Sequence, residues 1–188
     1  TLSYAGCPPI SNFYRPDAKY LNCDEVLERW KRHIAVNKID TIFIFARWSY
    51  YTGYGVSEID GAKADLDSSA YQNLFVESFG WLKEIGLERV FIVGATFEIE
   101  NTIYEELVKS FHRASSGQTS RSNAIAIRSF DYNQLNNLLK TAAANNGFSF
   151  LDNPNDACAY SLKQCMSKYG GEYTYRDTNH VSKSYGSH

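Results

Sequence analysis

Two short, nearly unbroken apolar runs limit what this chain can fold into. Residues 39–46 read IDTIFIFA, and residues 89–94 read RVFIVG. Runs of this kind are typical of strands that are covered on both faces, as in a parallel sheet. We therefore expect residues 39–46 to form a central parallel strand and residues 89–94 to form a second core strand.

Segments with helical periodicity alternate with these runs. Apolar side chains recur at helical spacing in four segments, residues 22–37, 68–85, 101–113 and 132–145. Residues 148–151 are expected to add a short strand, and the glycine- and aspartate-rich residues 53–67 to form a long surface loop. The alternation predicts a single α/β domain over residues 1–188, a three-layer α/β/α sandwich with a mainly parallel sheet.

Composition excludes several classes of function. The 188 residues are 44% hydrophobic and 21% charged, enough for one domain with a substantial core. The net charge of −2 gives no electrostatic footprint for nucleic acid, so no nucleic-acid partner is expected. The histidines form no cluster with carboxylates, and Gly94 stands alone rather than in a phosphate-binding loop. The sequence therefore predicts no metal and no cofactor.

The chain starts abruptly. It has no initiator methionine, and Leu2 leads within a few residues to Cys7, Pro8 and Pro9. No apolar run approaches the roughly 18 to 20 residues that are needed to cross a bilayer. We expect a processed or excised segment of a longer protein.

The four cysteines fall into two local pairs. Cys7 and Cys23 flank a loop rich in proline, asparagine and tyrosine, and Cys158 and Cys165 bracket a short polar segment. Two local disulfides fit these spacings better than paired zinc knuckles, and they predict an oxidising compartment such as a periplasm or the cell exterior. Four buried free thiols in a cytosolic protein are the alternative.

An acid and a histidine stand three residues apart near the end of the chain. Residues 173–188 read YTYRDTNHVSKSYGSH, and Asp177 and His180 are expected on a loop after a strand. At this spacing the carboxylate can fix the imidazole tautomer and leave the other ring nitrogen free to take a proton. The pair is thus a candidate general base with its orienting group. Alternatively, Asp177 caps the following turn and His180 is a surface residue.

Several features together resemble one family. The closing DTNH followed by VSKSYG resembles the last block of the SGNH hydrolases, which have a flavodoxin-like α/β fold. Cys7-Pro8-Pro9, ARWSYY after the first buried run, and the pair Cys158 and Cys165 make the chain look like a more specific member. It resembles the extracytoplasmic SGNH domain that follows the transmembrane domain in bacterial membrane O-acyltransferases, and the match spans nearly the whole chain.

That resemblance implies acyl transfer by a Ser-His-Asp mechanism. A serine attacks an ester carbonyl, His180 takes and returns its proton, and Asp177 stabilises the imidazolium. The family's serine lies in a Gly-Asp-Ser block at the end of the first strand, and no such block exists in these residues. We therefore expect the first strand and the nucleophile to lie upstream, and this fragment to be inactive alone. Ser3 and Ser49 lack the sequence context of a nucleophile.

The resemblance also implies partners and a location. The acyl group, acetyl in our expectation, would come from a transmembrane acyltransferase domain of the same full-length protein and pass to a polysaccharide or glycan hydroxyl. The domain would be periplasmic or otherwise extracytoplasmic and tethered to the inner membrane. A carbohydrate esterase, or a non-catalytic module that binds a carbohydrate or a partner domain, is the alternative.

The expected oxyanion donors also differ from those of the superfamily, at the strand end after residues 39–46. The superfamily uses a glycine and an asparagine as oxyanion donors, whereas this strand end carries Arg47. A guanidinium can stabilise a developing negative charge, so Arg47 is a candidate substitute donor, with a structural salt bridge as the alternative. Gly6 is expected to line the same pocket. The neighbouring aromatic residues would form a sugar-stacking platform or simply pack in the core, namely Trp48, Tyr50, Tyr51 and Tyr54.

Overall fold

A computed structural model describes residues 6–54, 57–100, 124–126, 129–152, 158–159, 164–166, 168–169 and 172–173. The chain divides into two compact units, residues 1–95 with 130–153, and residues 96–129 with 154–188. Expectations for residues 1–5, 101–113 and 174–188 lie outside the described residues. The one-domain expectation stays a prediction.

The described strands and helices follow in chain order. The first unit contains β1 (Phe13–Tyr14), α1 (Cys23–Val36), β2 (Thr41–Ile44), β3 (Glu58–Ile59), β4 (Ala62–Lys63), α2 (Ser69–Glu77), α3 (Trp81–Glu84) and β5 (Arg89–Val93). After β6 (Ala124–Ala126) of the second unit, the first unit resumes with α4 (Tyr132–Asn146) and β7 (Ser149–Leu151). The second unit then adds β8 (Cys158–Ala159), β9 (Gln164–Met166), β10 (Lys168–Tyr169) and β11 (Glu172–Tyr173). None of the described helices is long and apolar enough to span a membrane.

A parallel sheet of order β2–β5–β7 organises the first unit. α4 packs against β5 and β7. These elements confirm the predicted α/β class with a parallel sheet. Because successive strand residues point to opposite faces, Ile44, Val90 and Ile92 share one face, and all three are buried.

The predicted central position of β2 stays a prediction, but its second face is less covered than the apolar run suggested. Among the described strands β5 occupies the middle, and β2 pairs only with β5. On the second face Phe43 stacks on Phe91 with ring centroids 4.7 Å apart, yet Phe43 is 56% exposed and Phe45 70% exposed. The apolar run predicted a strand correctly, but composition does not determine whether both faces of that strand are covered.

Helices α1 and α4 begin and end where their capping residues predict. The Asn22 side chain accepts a hydrogen bond from the Glu25 amide at the start of α1, and Asp131 does the same for Gln134 at the start of α4. Gly147 ends α4 in the left-handed region, at φ 72°. These two helices confirm the sequence pattern nearly to the residue.

The helix predicted over residues 68–85 is two helices, α2 and α3. The Ser78 hydroxyl donates to the Phe75 carbonyl at 2.6 Å, and the Ser78 carbonyl accepts from the Ser11 amide at 3.0 Å. The Leu82 amide then donates to Phe79, three residues back, rather than to Ser78. The prediction was wrong at this point because a contact distant in sequence takes the carbonyl that a continuous helix needs.

The predicted loop over residues 53–67 contains an antiparallel hairpin instead. β3 and β4 pair through a two-residue turn in which Asp60 has φ 50° and Gly61 has φ 79°. Both values suit a type I′ hairpin turn, for which Asp-Gly is a favoured sequence. β1 then pairs with β3 and places Phe13 opposite Ile59, both buried.

The described part of the second unit contains two antiparallel arrangements. β9 lies between β6 and β8, and β10 pairs with β11. The strand expected to include Tyr173 and Tyr175 is described as far as Tyr173, the last residue of β11, and Tyr175 lies outside the described residues. Cys158 and Cys165 occupy paired positions on β8 and β9.

Candidate active site

A tight turn follows β2 and carries the cluster that the sequence singled out. The amides of Tyr50 and Tyr51 both donate to the Arg47 carbonyl, at 3.0 and 3.2 Å. The Thr52 hydroxyl donates to the Trp48 carbonyl at 2.8 Å within the same turn. Arg47 therefore begins a compact turn at the carboxyl end of a parallel strand, where α/β sheets bind ligands.

Trp48 is a core residue in this structure. Its side chain is 1% exposed, and its indole Nε1 donates to the Val93 carbonyl at the end of β5, at 3.0 Å. The ring lies 6.0 Å from Phe75 and 5.9 Å from Phe79 between centroids. Trp48 therefore packs in the core and does not form part of a sugar-stacking platform. Its bond to Val93 links the turn to the neighbouring strand β5.

Two arginines meet at the ring of Tyr50, which is half-buried. The Arg47 Cζ lies 4.9 Å from the Tyr50 ring centroid, and the Arg15 Cζ lies 5.1 Å from it. Both distances are within the range of cation–π attraction. The Tyr50 ring is thus in contact with the candidate oxyanion donor, Arg47.

Asp17 holds Arg15 in place. Arg15 donates through Nε to Asp17 Oδ1 at 3.1 Å and through Nη2 to Asp17 Oδ2 at 2.6 Å. The same Nη2 donates to the Tyr50 hydroxyl at 2.9 Å, and that hydroxyl lies 3.3 Å from Asp17 Oδ2. The hydrogen bond from Arg15 lowers the pKa of the Asp17 carboxyl, and the bond to Asp17 raises the pKa of Arg15.

Tyr51 is buried next to Tyr50. Its ring packs edge-on against Phe13 at 5.3 Å and Tyr50 at 5.6 Å between centroids. Burial raises the pKa of the Tyr51 phenol, while the positive charges of Arg15 and Arg47 and a hydrogen bond from the Gly6 backbone oppose that shift. The structure therefore brings Gly6, Tyr51 and both arginines into one cluster.

Gly6 is required by its conformation and by its neighbours. Its φ of +93° is unfavourable for other residues, and a Cβ there would lie 2.6 Å from Leu21 Cδ1 and 3.0 Å from Arg15 Nη1. The next residue, Cys7, forms a disulfide with Cys23 at the start of α1. The segment that leads into the cluster is thus held by a covalent link.

Several predicted site residues are not tested by the described structure. Asp177 and His180 lie outside the described residues, and so does the side chain of Tyr54. Cys165 is buried and disulfide-bonded, and Cys158 occupies the paired position on the neighbouring strand. These observations agree with the predicted bond between Cys158 and Cys165, which itself stays a prediction. Within the described segments, no group of three or more His, Cys, Asp and Glu residues could hold a metal ion.

Sequence reasoning missed Arg15 and Asp17. They lie in an irregular stretch after β1, and Pro16–Ala18 form a short 3-10 turn. The available signal was an arginine and an aspartate two residues apart around a proline, RPD, which favours a local ion pair on a tight turn. That signal does not reveal Tyr50 as the third member, 35 residues away.

The fold and the cluster define a class of protein. A parallel α/β sheet with polar and aromatic side chains gathered beyond the end of β2 is the layout of enzymes and binding proteins that hold ligands at a strand end. Among solved structures, the periplasmic domain of a lipopolysaccharide acetyltransferase from Salmonella ser. Paratyphi A matches with a TM-score of 0.65 and 13% identity. At this identity the match shows a shared fold.

The family model identifies the chain more closely. Residues 1–187 match the family described as the SGNH domain (fused to AT3 domains), so this chain belongs to that family. No curated protein sequence matches it. The solved Salmonella neighbour is covered over 64% of its length, while 96% of this chain is covered.

Proposed function

We propose that this chain is the extracytoplasmic part of a membrane O-acyltransferase, and that it passes an acyl group to a hydroxyl of a cell-surface polysaccharide. The observation that carries the proposal is the match of residues 1–187 to the SGNH domain that is fused to AT3 domains. The fold shared with a lipopolysaccharide acetyltransferase periplasmic domain supports it. Acetyl is the acyl group that we propose.

The proposed reaction has two steps, acylation of a serine and transfer of the acyl group to the acceptor hydroxyl. A serine in the upstream part of the full-length protein attacks the carbonyl carbon of the acyl donor, and His180 accepts the serine proton and returns it to the leaving group. The acceptor hydroxyl then attacks the acyl-serine, its proton passes to His180 and on to the serine oxygen, and the acyl ester of the polysaccharide is released. Asp177 holds the imidazole tautomer and stabilises its charged form.

Arg47 and Gly6 are the proposed stabilisers of the oxyanion that forms in both steps. Arg47 lies at the carboxyl end of β2, and a charged donor in a partly buried site is worth more than one in water. Gly6 lies in the same cluster, because a Cβ built on it would lie 3.0 Å from Arg15 Nη1. Tyr50, whose ring is half-buried, is the proposed sugar contact, with Tyr51 behind it.

We place the domain outside the cytoplasmic membrane and tethered to it by the transmembrane acyltransferase domain, which supplies the acyl donor. The Cys7–Cys23 disulfide supports an oxidising compartment, because such bonds persist mainly there. The proposed acceptor is a glycan.

A serine-directed fluorophosphonate probe tests the proposal in the full-length membrane protein. We expect labelling of one serine upstream of this chain, and a loss of labelling rate of about a thousandfold or more in His180→Ala. His33→Ala is the matched control, because His33 is exposed on α1, and it should label at the wild-type rate. Labelling that is indifferent to His180→Ala would instead favour a non-catalytic module.

A second measurement separates transferase from esterase. Membranes that carry the wild-type protein receive a radiolabelled acyl donor and are then fractionated into polysaccharide and free acid. A transferase retains label on the polysaccharide. Release of the label mainly as free acid would replace our proposal with a carbohydrate esterase.

A further inference from the structure

The contact between Arg47 and Tyr50 belongs to a series of side-chain contacts that continues through Arg15 to Asp17. The Tyr50 ring lies 4.9 Å from the Arg47 guanidinium carbon. The Tyr50 hydroxyl accepts a hydrogen bond from Arg15 Nη2 at 2.9 Å, and Arg15 is held by two contacts to Asp17. The ring that Arg47 contacts is therefore anchored at its far end.

Packing removes the remaining freedom of that ring. Tyr51 contacts Tyr50 edge-on, with an interplanar angle of 85°, and is itself 9% exposed and packed against Phe13. The Arg15 side chain is 15% exposed, so its bond to the phenol is partly shielded from competing water. Tyr50 thus presents a ring of defined orientation to the first residue of the turn.

We propose that Tyr50 is a positioning residue for Arg47, with its ring setting where the guanidinium points and Arg15 and Asp17 fixing the ring. The inference rests on the proposed function, in which Arg47 stabilises the oxyanion. An arginine side chain has many rotamers, and a donor that is misdirected by about 1 Å loses much of its effect on a transition state. A cation–π contact provides the direction without neutralising the charge.

The test is a double-mutant cycle in the full-length protein, with hydrolysis of an aryl acetate as the assay. Tyr50→Leu removes the ring, and we expect kcat to fall by about 3- to 30-fold with KM unchanged, the range of a cation–π contact. In an Arg47→Gln background the same change should lower kcat by less than about twofold, because the positioned group is gone. Tyr50→Phe keeps the ring but loses the hydroxyl that Arg15 and Asp17 hold, so its loss of kcat should lie between those of wild type and Tyr50→Leu.

Controls separate positioning from folding. Tyr20→Leu is the matched control, because Tyr20 is 86% exposed, and it should leave kcat and KM at wild-type values. If Tyr50→Leu lowers the amount of folded protein, Tyr50→Met preserves the bulk without the aromatic face, and it is expected to behave as Tyr50→Leu does in both backgrounds.

The positioning role of Tyr50 and the proposed function can fail separately. Equal losses from Tyr50→Leu with and without Arg47 would overturn the positioning role, as would a change in KM alone, while a labelling rate that depends on His180 would leave the proposed function standing. Fluorophosphonate labelling that does not depend on His180 would overturn both.

Discussion

Replacement of Trp48 by phenylalanine tests whether this side chain is a structural anchor. The indole N–H that reaches the Val93 carbonyl is lost, and a buried acceptor without its donor costs about 1–3 kcal/mol. The smaller ring leaves a void beside Phe75 and Phe79, which adds about 1 kcal/mol. We expect the free energy of unfolding to fall by about 2–4 kcal/mol in total.

Urea unfolding of the 188-residue chain, followed by far-ultraviolet circular dichroism, measures this loss. With a slope of about 2 kcal/mol per M, the midpoint should fall by about 1–2 M at unchanged slope. Trp30→Phe is the matched control, because Trp30 is only half-buried on α1, and it should cost less than about 1 kcal/mol. Equal midpoints for Trp48→Phe and Trp30→Phe would refute the argument that Trp48 anchors the turn.

Three further outcomes follow from the same region of the structure. Replacing both cysteines of the Cys7–Cys23 disulfide by serine should lower the free energy of unfolding by about 3 kcal/mol, given the loop that it closes, and an unchanged urea midpoint would contradict this. Gly6→Ala should cost about 1–3 kcal/mol more than Gly61→Ala, because both glycines have positive φ but only Gly6 would place its Cβ 2.6 Å from Leu21 Cδ1 and 3.0 Å from Arg15 Nη1; equal urea midpoints would rule out the clash. The Asp17 carboxyl has a lowered pKa when folded, so its contribution is complete above its unfolded pKa of about 4 and is lost as pH falls through the folded value. Urea midpoints measured from pH 2 to 7 should therefore fall more steeply at the acid end for wild type than for Asp17→Asn, and parallel curves would contradict the ion pair.

Local patterns predicted the elements of this fold well. α1 and α4 have strong helical periodicity and capping residues at their ends, so their bounds could be read directly. The break between α2 and α3 could not, because it depends on a hydrogen bond between Ser11 and Ser78, which are 67 residues apart. The hairpin of β3 and β4 has only two residues in each strand, too few for a periodicity, although Asp60 and Gly61 carried the turn signal.

The candidate site was predictable only where local sequence patterns determine it. Arg47 could be placed because it directly follows an apolar run, and strand ends in α/β sheets hold functional residues. The surroundings of Arg47 depend on which loop returns to that strand end, and only the folded chain shows that Arg15 does. The buried position of Trp48 likewise follows from its bond to Val93, on a strand 45 residues away.

The indole bond of Trp48 has a consequence for motion. The turn after β2 cannot lift away from the sheet unless the indole leaves the core and gives up its bond to Val93. Amide protons of this turn should therefore exchange with solvent only through slow, cooperative opening of the core, rather than through the rapid fluctuations of a surface loop. If the turn is held in this way, the freedom left to the Arg47 guanidinium is mainly in its side-chain torsions.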